Sequence, residues 1–258
     1  MSYIVAENLV KKYGDGTAVV SAVDDISFQI REREFVGIMG ESGAGKSTLL
    51  GMMGAMNAPT SGRLVVDDID VYGLNQEQRA DFRREFLGFV FQSFHLVSYL
   101  TIIENVMLPL TVIKIGKKKK RAKAAEALSQ VGLLDKAHRL PNQISGGEKE
   151  RVAIARAIVN EPPVLLADEP TGNLDTKTSQ EIMQLLRHLN GEGMTIIMVT
   201  HSPECANYAQ RIMQVTDGKL VDDNSKIKSI DEWQKKERKC DALRNQKRMQ
   251  TAGSLPTG

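Results

Sequence analysis

The stretch that decides the fold is GESGAGKSTLL, residues 40–50, which directly follows the apolar run FVGIM, residues 35–39. Its spacing matches G-x-x-x-x-G-K-[ST], in which glycines let backbone N–H groups turn inward around a phosphate at the start of a helix. In this pattern Lys46 would reach the β- and γ-phosphates, and Ser47 would ligate Mg²⁺. The stretch therefore predicts a nucleoside triphosphate site. A glycine-rich turn with a surface lysine is the less favoured alternative.

The bulk composition predicts a globular protein of one large domain, or of one domain with a subdomain. The chain has 258 residues, of which 41% are hydrophobic and 26% are charged. No apolar run approaches the roughly 18 residues that span a membrane, and no secretory signal is visible. The two cysteines, Cys205 and Cys240, lack metal-site spacing, so we expect a reduced, cytoplasmic chain. A net charge of +2 is too small to indicate a nucleic-acid partner.

The apolar runs outside the opening stretch predict an α/β fold. Residues 35–39, 164–167 and 195–199 are continuous Val/Ile-rich runs, typical of strands of a parallel sheet that is covered on both faces. Helical stretches at residues 121–134 and 148–159 predict a helical subdomain, at about 93–160, inserted between two strands. We therefore expect a phosphate-loop NTPase (RecA-like) sheet with this inserted helical subdomain.

The two ends of the chain differ from this core. The first 30 residues alternate and turn like an antiparallel sheet, which predicts an N-terminal antiparallel β subdomain on the flank of the core. After about residue 223 the sequence becomes polar and basic and ends in Ser, Pro and Gly, so we expect a short helix at best and then disorder. The predicted division is one main domain of residues 1–223, with the helical subdomain inserted in it, and a tail of residues 224–258.

Two further strand ends place chemistry beside the phosphate loop. VLLADEPTGNLD, residues 164–175, puts Asp168 where it would hold Mg²⁺ through water, and Glu169 next to it. A second carboxylate there suits a base that positions the attacking water, although a strand-end salt bridge is the alternative. TIIMVTH, residues 195–201, brings His201 to the same edge of the sheet. Lys46, Glu169 and His201 are therefore the predicted catalytic residues of a hydrolase.

ISGGEKER, residues 144–151, predicts a second anion-binding corner. Ser145, Gly146 and Gly147 precede a good helix, so free N–H groups and the positive end of its dipole would face a ligand. A Ser/Gly helix cap is the alternative. The chain has two such corners but one lysine-bearing loop, so we expect the second corner to serve the nucleotide of a partner chain.

Taken in order, GESGAGKST, SGGE, LLADEP, GNLD and the strand-end histidine resemble the ATP-binding subunit of ATP-binding cassette transporters, over about residues 3–222. The resemblance implies ATPase activity with ATP and Mg²⁺, and a head-to-tail homodimer that sandwiches two ATP molecules. It implies nucleotide contacts from Tyr13, Gly40, Glu41, Ser42, Gly43, Ala44, Gly45, Lys46, Ser47, Thr48, Gln92, Ser145, Gly146, Gly147 and Glu148.

The resemblance also implies individual roles. Tyr13 would stack on adenine, Gln92 would sense Mg²⁺ and couple to a membrane partner, and Asp175 would lie at the dimer seam. The implied metal-site residues are Ser47, Gln92 and Asp168. Glu148 departs from the family, which often has glutamine there. A carboxylate close to a γ-phosphate is unfavourable, so we expect its side chain to point aside.

Residues 91–110, FQSFHLVSYLTIIENVMLPL, and residues 168–175, DEPTGNLD, are similar to one branch of the family. Its members are the lipoprotein-releasing, macrolide-exporting, antimicrobial-peptide-resistance and cell-division ATPases. The similarity implies a force-transmitting ATPase, peripheral on the inner face of the membrane, with an integral membrane permease subunit as partner. Residues 91–110 suit a hydrophobic groove for a short partner helix, or they pack the helical subdomain.

Charge and motif number leave alternatives open. The run KKKKR, residues 117–121, and the basic tail form either solvated faces or surfaces attracted to anionic lipid. A nucleotide-gated switch of a signalling or cell-wall enzyme complex, without transport, would use the same residues. A cassette ATPase acting on DNA or ribosomes is disfavoured by the single motif set, the lack of a long coiled coil and the small net charge.

Overall fold

The computed structural model describes residues 2–14 and 19–225, and the rest of the predicted tail, residues 226–258, lies outside the described residues. The strands are β1 Ser2–Tyr13, β2 Val20–Arg31, β3 Phe35–Met39, β4 Ser61–Val66, β5 Ile69–Asp70, β6 Leu87–Val90, β7 Val164–Asp168, β8 Thr195–Thr200, β9 Arg211–Thr216 and β10 Lys219–Ser225. The helices are α1 Lys46–Met53, α2 Gln76–Phe86, α3 Ile102–Met107, α4 Lys117–Gln130, α5 Gly146–Ile158, α6 Thr176–Gly191 and α7 Pro203–Ala206.

The central sheet has six strands in the order β10-β9-β3-β8-β7-β6. Neighbours from β9 to β6 are parallel, and β10 pairs with β9 in the antiparallel sense. Every residue of β8 is buried, as are the first four residues of β3 and of β7. The predicted parallel sheet with both faces covered is confirmed.

Successive residues of a central strand serve two different cores, because side chains of a strand alternate between faces. Phe35 belongs to the core that contains the helices between β6 and β7, whereas Val36 and Ile38 belong to the core under the antiparallel sheet. Burial of one such side chain stabilises the fold by about 1.5–3 kcal/mol. The two cores pack against opposite faces of the sheet and hold the carboxyl ends of its strands in fixed positions.

The N-terminal antiparallel sheet is also confirmed, and it is larger than the sequence indicated. Its strand order is β2-β1-β4-β5, with all three pairings antiparallel. The sequence does not indicate β4 or β5. The first three residues of β4 are exposed and β5 has two residues, so neither segment carries a clear alternating pattern.

Three helices, α3 to α5, lie between β6 and β7, where helical character was predicted. The stretch 121–134 corresponds to α4, which ends at Gln130 because Gly132 takes a φ of 72° and reverses the chain. The stretch 148–159 corresponds to α5, which starts at Gly146 because Ser145 caps it. Among the helices described, none is long and apolar enough to cross a membrane.

A buried carboxyl in α5 makes the stability of the fold depend on pH. Glu150 is 1% exposed, and its Oε1 lacks a hydrogen-bond partner among the described residues. Burial raises the pKa of Glu150 to about 8, and the charge of Arg156 opposes the rise. In the unfolded chain the pKa of this carboxyl is near its ordinary value of 4.5, so the unfolded chain releases the proton at lower pH than the folded chain does. Stability is lost as the pH rises between these two values.

We expect Glu150→Gln to stabilise the protein by about 2 kcal/mol at pH 9 and by little at pH 5, because the amide removes a buried charge that forms only at high pH. Thermal melts at the two pH values measure the difference. Glu126→Gln, a matched change at an exposed position of α4, should leave both melting temperatures within about one degree. An equal gain at both pH values for Glu150→Gln would contradict the ionisation argument.

Candidate nucleotide site

The phosphate loop, residues 40–45, connects β3 to α1 and can be built only with glycine at its two ends. A Cβ on Gly40 would lie 2.1 Å from the carbonyl oxygen of Val215, and one on Gly45 would lie 2.0 Å from that of Ala22. Gly45 also has a φ of 95°. No side-chain cap satisfies the N-terminus of α1. The first N–H groups of this helix are therefore available to an anion.

Lys46 is held under the loop. It is buried, and its Nζ donates hydrogen bonds to the carbonyl oxygens of Gly40 at 2.8 Å and of Glu41 at 2.7 Å. These contacts fix both the shape of the loop and the position of the charge. Gly40 and Glu41 thus hold the lysine through their backbone carbonyl groups. Ala44 is also buried, and its carbonyl oxygen accepts a hydrogen bond from Gly218 N at 3.1 Å.

Ser47 and Asp168 meet across the base of the site. Ser47 Oγ donates to Asp168 Oδ1 at 3.1 Å. Burial raises the pKa of Asp168, the hydrogen bond from Ser47 opposes this, and the charge of Glu169 adds to the rise. A hydroxyl and a carboxylate are hard oxygen donors of the kind that Mg²⁺ prefers, so the pair fits the ion that the sequence predicts.

Glu169 and His201 form a hydrogen-bonded pair at the edge of the sheet. Glu169 Oε1 lies 2.9 Å from His201 Nδ1, and Glu169 N donates to Val199 O at 3.0 Å. The glutamate has a φ of 49°, a left-handed conformation that a non-glycine residue keeps only where its surroundings enforce it. Its side chain is 12% exposed and that of the histidine 66%. The backbone and the histidine together fix the direction of a nearly buried carboxylate.

These elements surround one cavity of 540 Å³. Its described lining residues are Ala22, Ser42, Gly43, Gly45, Lys46, Ser47, Thr48, Gln92, Glu169 and His201. Gln92 enters from the loop after β6, and its carbonyl oxygen accepts from Asn173 Nδ2 at 3.0 Å. The structure therefore brings the phosphate loop, Gln92 and the ends of β7 and β8 together.

The predicted second corner lies elsewhere. Ser145, Gly147 and Glu148 line another cavity, of 480 Å³, which shares no described lining residue with the first. Ser145 caps α5, and Gly146 is its first residue. Within one chain this corner does not join the phosphate-loop cavity.

Glu148 is turned back onto the start of its own helix. Its Oε2 accepts from Ser145 N at 2.8 Å, and its Oε1 pairs with Lys136 Nζ. The hydrogen bond from Lys136 is the main cause that lowers the pKa of Glu148, followed by that from Ser145. These two contacts hold the Glu148 side chain against the start of α5, in line with the expectation that it points aside.

Two other predicted residues lie apart from the cavity lining. Tyr13 is exposed at the end of β1, opposite Val20, with Lys11 Nζ 5.1 Å from the centre of its ring. Asp175 caps α6 and accepts from Thr178 N at 3.0 Å and from Thr178 Oγ1 at 2.6 Å. Their predicted roles require a nucleotide and a second chain.

Sequence reasoning missed Ala22 and Lys136. Ala22 meets Gly45 through its backbone, so no side-chain pattern could indicate it. Lys136 ends a short turn, Leu134–Lys136, and reaches Glu148 through the tertiary fold. The one available signal was the carboxylate at position 148, which needed a neutralising partner.

The comparisons with known proteins agree with this geometry. The family model described as ABC transporter matches residues 23–172. An uncharacterized ABC transporter ATP-binding protein of Bacillus subtilis, YvrO, is 46% identical over 218 residues, which is 84% of this chain and 95% of that protein.

A second relative and a solved structure extend the comparison. The macrolide export ATP-binding/permease protein MacB of Salmonella typhi is 45% identical over 214 residues, which is 83% of this chain but 33% of that protein. The dimeric post-hydrolysis structure of the cassette MJ0796 with ADP and Pi, from Methanocaldococcus jannaschii, has a TM-score of 0.79 and 40% identity, covering 86% of this chain and 98% of that one. The chain therefore belongs to the ABC transporter family, as an ATP-binding subunit with ATPase activity.

Proposed function

We propose that this chain is the engine of a force-transmitting membrane complex. Binding of ATP closes a head-to-tail pair of copies, closure moves a membrane partner, and hydrolysis resets the pair. One observation carries the proposal: the phosphate loop and Glu169 share one cavity, whereas Ser145 and Gly147 open into a separate one. A nucleotide that contacts both corners must therefore lie between two chains. The dimeric structure of the MJ0796 cassette supports this pairing.

The binding step follows from the contacts of the phosphate loop. Lys46 and the free N–H groups at the start of α1 would hold the β- and γ-phosphates. Ser47 and Asp168, with Gln92 nearby, would hold Mg²⁺, which when bound neutralises charge on the phosphates. The exposed ring of Tyr13 would stack on adenine.

The hydrolytic step uses the oriented carboxylate. Glu169 would accept a hydrogen bond from water and direct its oxygen at the γ-phosphorus. As the new P–O bond forms, the bond to the ADP oxygen breaks, and the water proton passes to the carboxylate before it reaches the products. His201 Nδ1, 2.9 Å from Glu169 Oε1, keeps the carboxylate aligned. The products are ADP and inorganic phosphate.

A groove beside the site fits the membrane partner. It has a volume of 480 Å³, and its apolar lining includes Phe89, Phe91 and Val112. Among the described residues, Arg83, Arg84 and Arg156 also line it. Such a groove suits a short amphipathic helix with an apolar face and acidic or polar ends. Gln92 follows Phe91 in the chain, so one loop touches both the groove and the nucleotide cavity.

We infer the transport type from the likeness to MacB, whose name joins an ATP-binding and a permease part in one protein. The chain matches a third of the length of MacB, and we propose an integral membrane permease subunit of the export type as its partner. The engine would then be peripheral on the inner membrane face. We retain the proposed division into an ATPase domain of residues 1–223, with a helical subdomain at about 93–160, and a basic tail.

We expect the tagged chain, purified from detergent-solubilised membranes of its native host, to bring an integral membrane subunit with it. Val112→Glu should lower the amount of recovered membrane subunit by about fivefold or more, because it places a charge in the apolar lining that the partner helix would contact. Val221→Glu is the matched control, since Val112 is 66% exposed and Val221, in β10, is 58% exposed. ATP hydrolysis by either free variant should stay within about twofold of the parent.

Equal recovery of the membrane subunit with both variants would place the docking surface elsewhere. Recovery of the parent chain without any membrane protein would contradict the transporter assignment while leaving the ATP site intact.

A further inference from the structure

The N-terminus of α5 carries an ion pair that the ATPase chemistry does not use. Lys136 Nζ pairs with Glu148 Oε1, and the two side chains are 26% and 23% exposed. The other carboxylate oxygen of Glu148 accepts from Ser145 N, while Ser145 Oγ accepts from Glu148 N at 3.3 Å. Both oxygens of this carboxylate therefore accept hydrogen bonds from donors of the chain itself.

The same contacts decide which backbone groups remain for a ligand. A helix begins with four N–H groups that lack partners within the helix. Here the reciprocal bonds between Ser145 and Glu148 take two of them. The N–H groups of Gly146 and Gly147 are left, next to a carboxylate that is paired with Lys136.

The charge balance of this corner depends on the lysine. The cavity that contains Ser145 and Gly147 is also lined by Asp135, Lys136, Glu148, Arg151 and Glu181. Arg151 is already paired with Glu181 at 3.1 Å. Loss of the lysine would leave the charge of Glu148 uncompensated beside the N–H groups that would bind a polyphosphate. The carboxylate and the phosphates are both negative, and such charges repel strongly in a partly buried site.

We propose that Lys136 is a positioning residue for capture of the partner copy's nucleotide. By neutralising Glu148 and holding it turned back, Lys136 lets an acidic residue occupy the second anion-binding corner without repelling ATP. The proposal rests on the head-to-tail pairing proposed above. Lys136 lies outside the sequence motifs of the nucleotide site. Because Lys136 and Glu148 act together, the effect of changing one of them depends on the other.

The test measures the MgATP concentration that gives half-maximal dimer by sedimentation velocity, in a Glu169→Gln background that retains ATP. Lys136→Met should raise this concentration about tenfold, the effect of one uncompensated charge in a partly buried site. Lys136→Arg should stay within about twofold of the background, since it keeps the cation. Lys123→Met is the matched control. Lys123, on α4, forms an exposed ion pair with Glu161, and its loss should leave the half-maximal concentration unchanged.

The decisive comparison is the double variant. With Glu148→Gln present, Lys136→Met should raise the half-maximal concentration by less than about twofold, since no charge is left to compensate. A purely structural role of the lysine would instead give the same loss in both backgrounds. The affinity of the monomer for a fluorescent ATP analogue should be the same for all these variants. Melting temperatures without nucleotide show whether each variant is folded at the temperature of the assay.

Two results would overturn the inference while leaving the proposed function in place: dimer formation unaffected by Lys136→Met, or a loss that persists in the double variant. If Lys136→Met does not fold, Lys136→Gln is compared with Lys136→Gln/Glu148→Gln by the same criterion. A background protein that binds the ATP analogue but forms no dimer would overturn the pairing itself, and the inference with it.

Discussion

Glu169→Gln is expected to lower steady-state ATP turnover by about 10²-fold or more while ATP binding is retained, because the amide cannot accept the proton of the attacking water. The structure makes this a clean substitution. The side chain is nearly buried, its backbone is fixed by the bond to Val199 O, and its Oε1 faces His201 Nδ1 at 2.9 Å. A glutamine of the same size can keep that contact through its amide oxygen. Single-turnover and steady-state phosphate release measure the effect.

The matched control is Glu204→Gln, which makes the same change in α7, in a neighbouring cavity that also contacts Glu169 and His201. Its turnover should stay within about twofold of the parent. Parent-like turnover in Glu169→Gln would remove this carboxylate from the role of base. A loss of ATP binding in the same variant would indicate a local structural defect instead.

Lys46→Ala is expected to weaken ATP binding by about 100-fold, since each charge-assisted hydrogen bond to a phosphate contributes about 1.5–3 kcal/mol. Lys46 is the one lysine or arginine among the described residues that line the cavity. Its removal also frees the carbonyl oxygens of Gly40 and Glu41, so the loop loses part of its support. Equilibrium titration with a fluorescent ATP analogue gives the affinity, and a thermal melt shows whether the fold survives.

Lys120→Ala is the comparison variant, because Lys120 Nζ also donates to a backbone carbonyl, that of Thr111 at 3.0 Å, but from the exposed start of α4. We expect its ATP affinity to match that of the parent. If Lys46→Ala binds ATP equally well, the N–H groups of the loop and of α1 would be sufficient for the phosphates, and the assignment of this charge would be wrong.

The central sheet was predictable because its strands are apolar on both faces. The run at residues 35–39 coincides with β3, and the runs at 164–167 and 195–199 are each one residue shorter than β7 and β8. The missing residues are Asp168 and Thr200, polar side chains at the edge where the site begins. The apolar pattern stops at the first polar residue of the site, so each predicted strand ends one residue too early.

Elements with weak patterns were not predictable. Helix α2 has Phe82 as its one buried residue, so it lacks the apolar stripe that indicates an amphipathic helix. Its start is marked instead by the reciprocal bonds of Asn75 and Gln78, a signal of two polar residues. Such a short signal is also common in turns.

The candidate site was predictable where chemistry is encoded locally. The loop at Lys46 and Ser47 and the strand-end residues Glu169 and His201 are found from short segments, and parallel topology brings their strand ends together. The bond between Lys136 and Glu148 depends on how a turn lies against α5, which no local pattern specifies. The place of Tyr13 on adenine stays a prediction, because it needs the nucleotide itself.

The separation of the two anion corners into different cavities has a consequence for inheritance. Under the proposed pairing, each copy contributes its second anion-binding corner to the active site of its neighbour, so no copy works alone. In a cell that expresses intact and defective chains in equal amounts, random pairing would place about half of the intact copies opposite a defective one. An allele that binds ATP but cannot hydrolyse it would then act as a dominant trait, whereas an allele that never folds would be recessive.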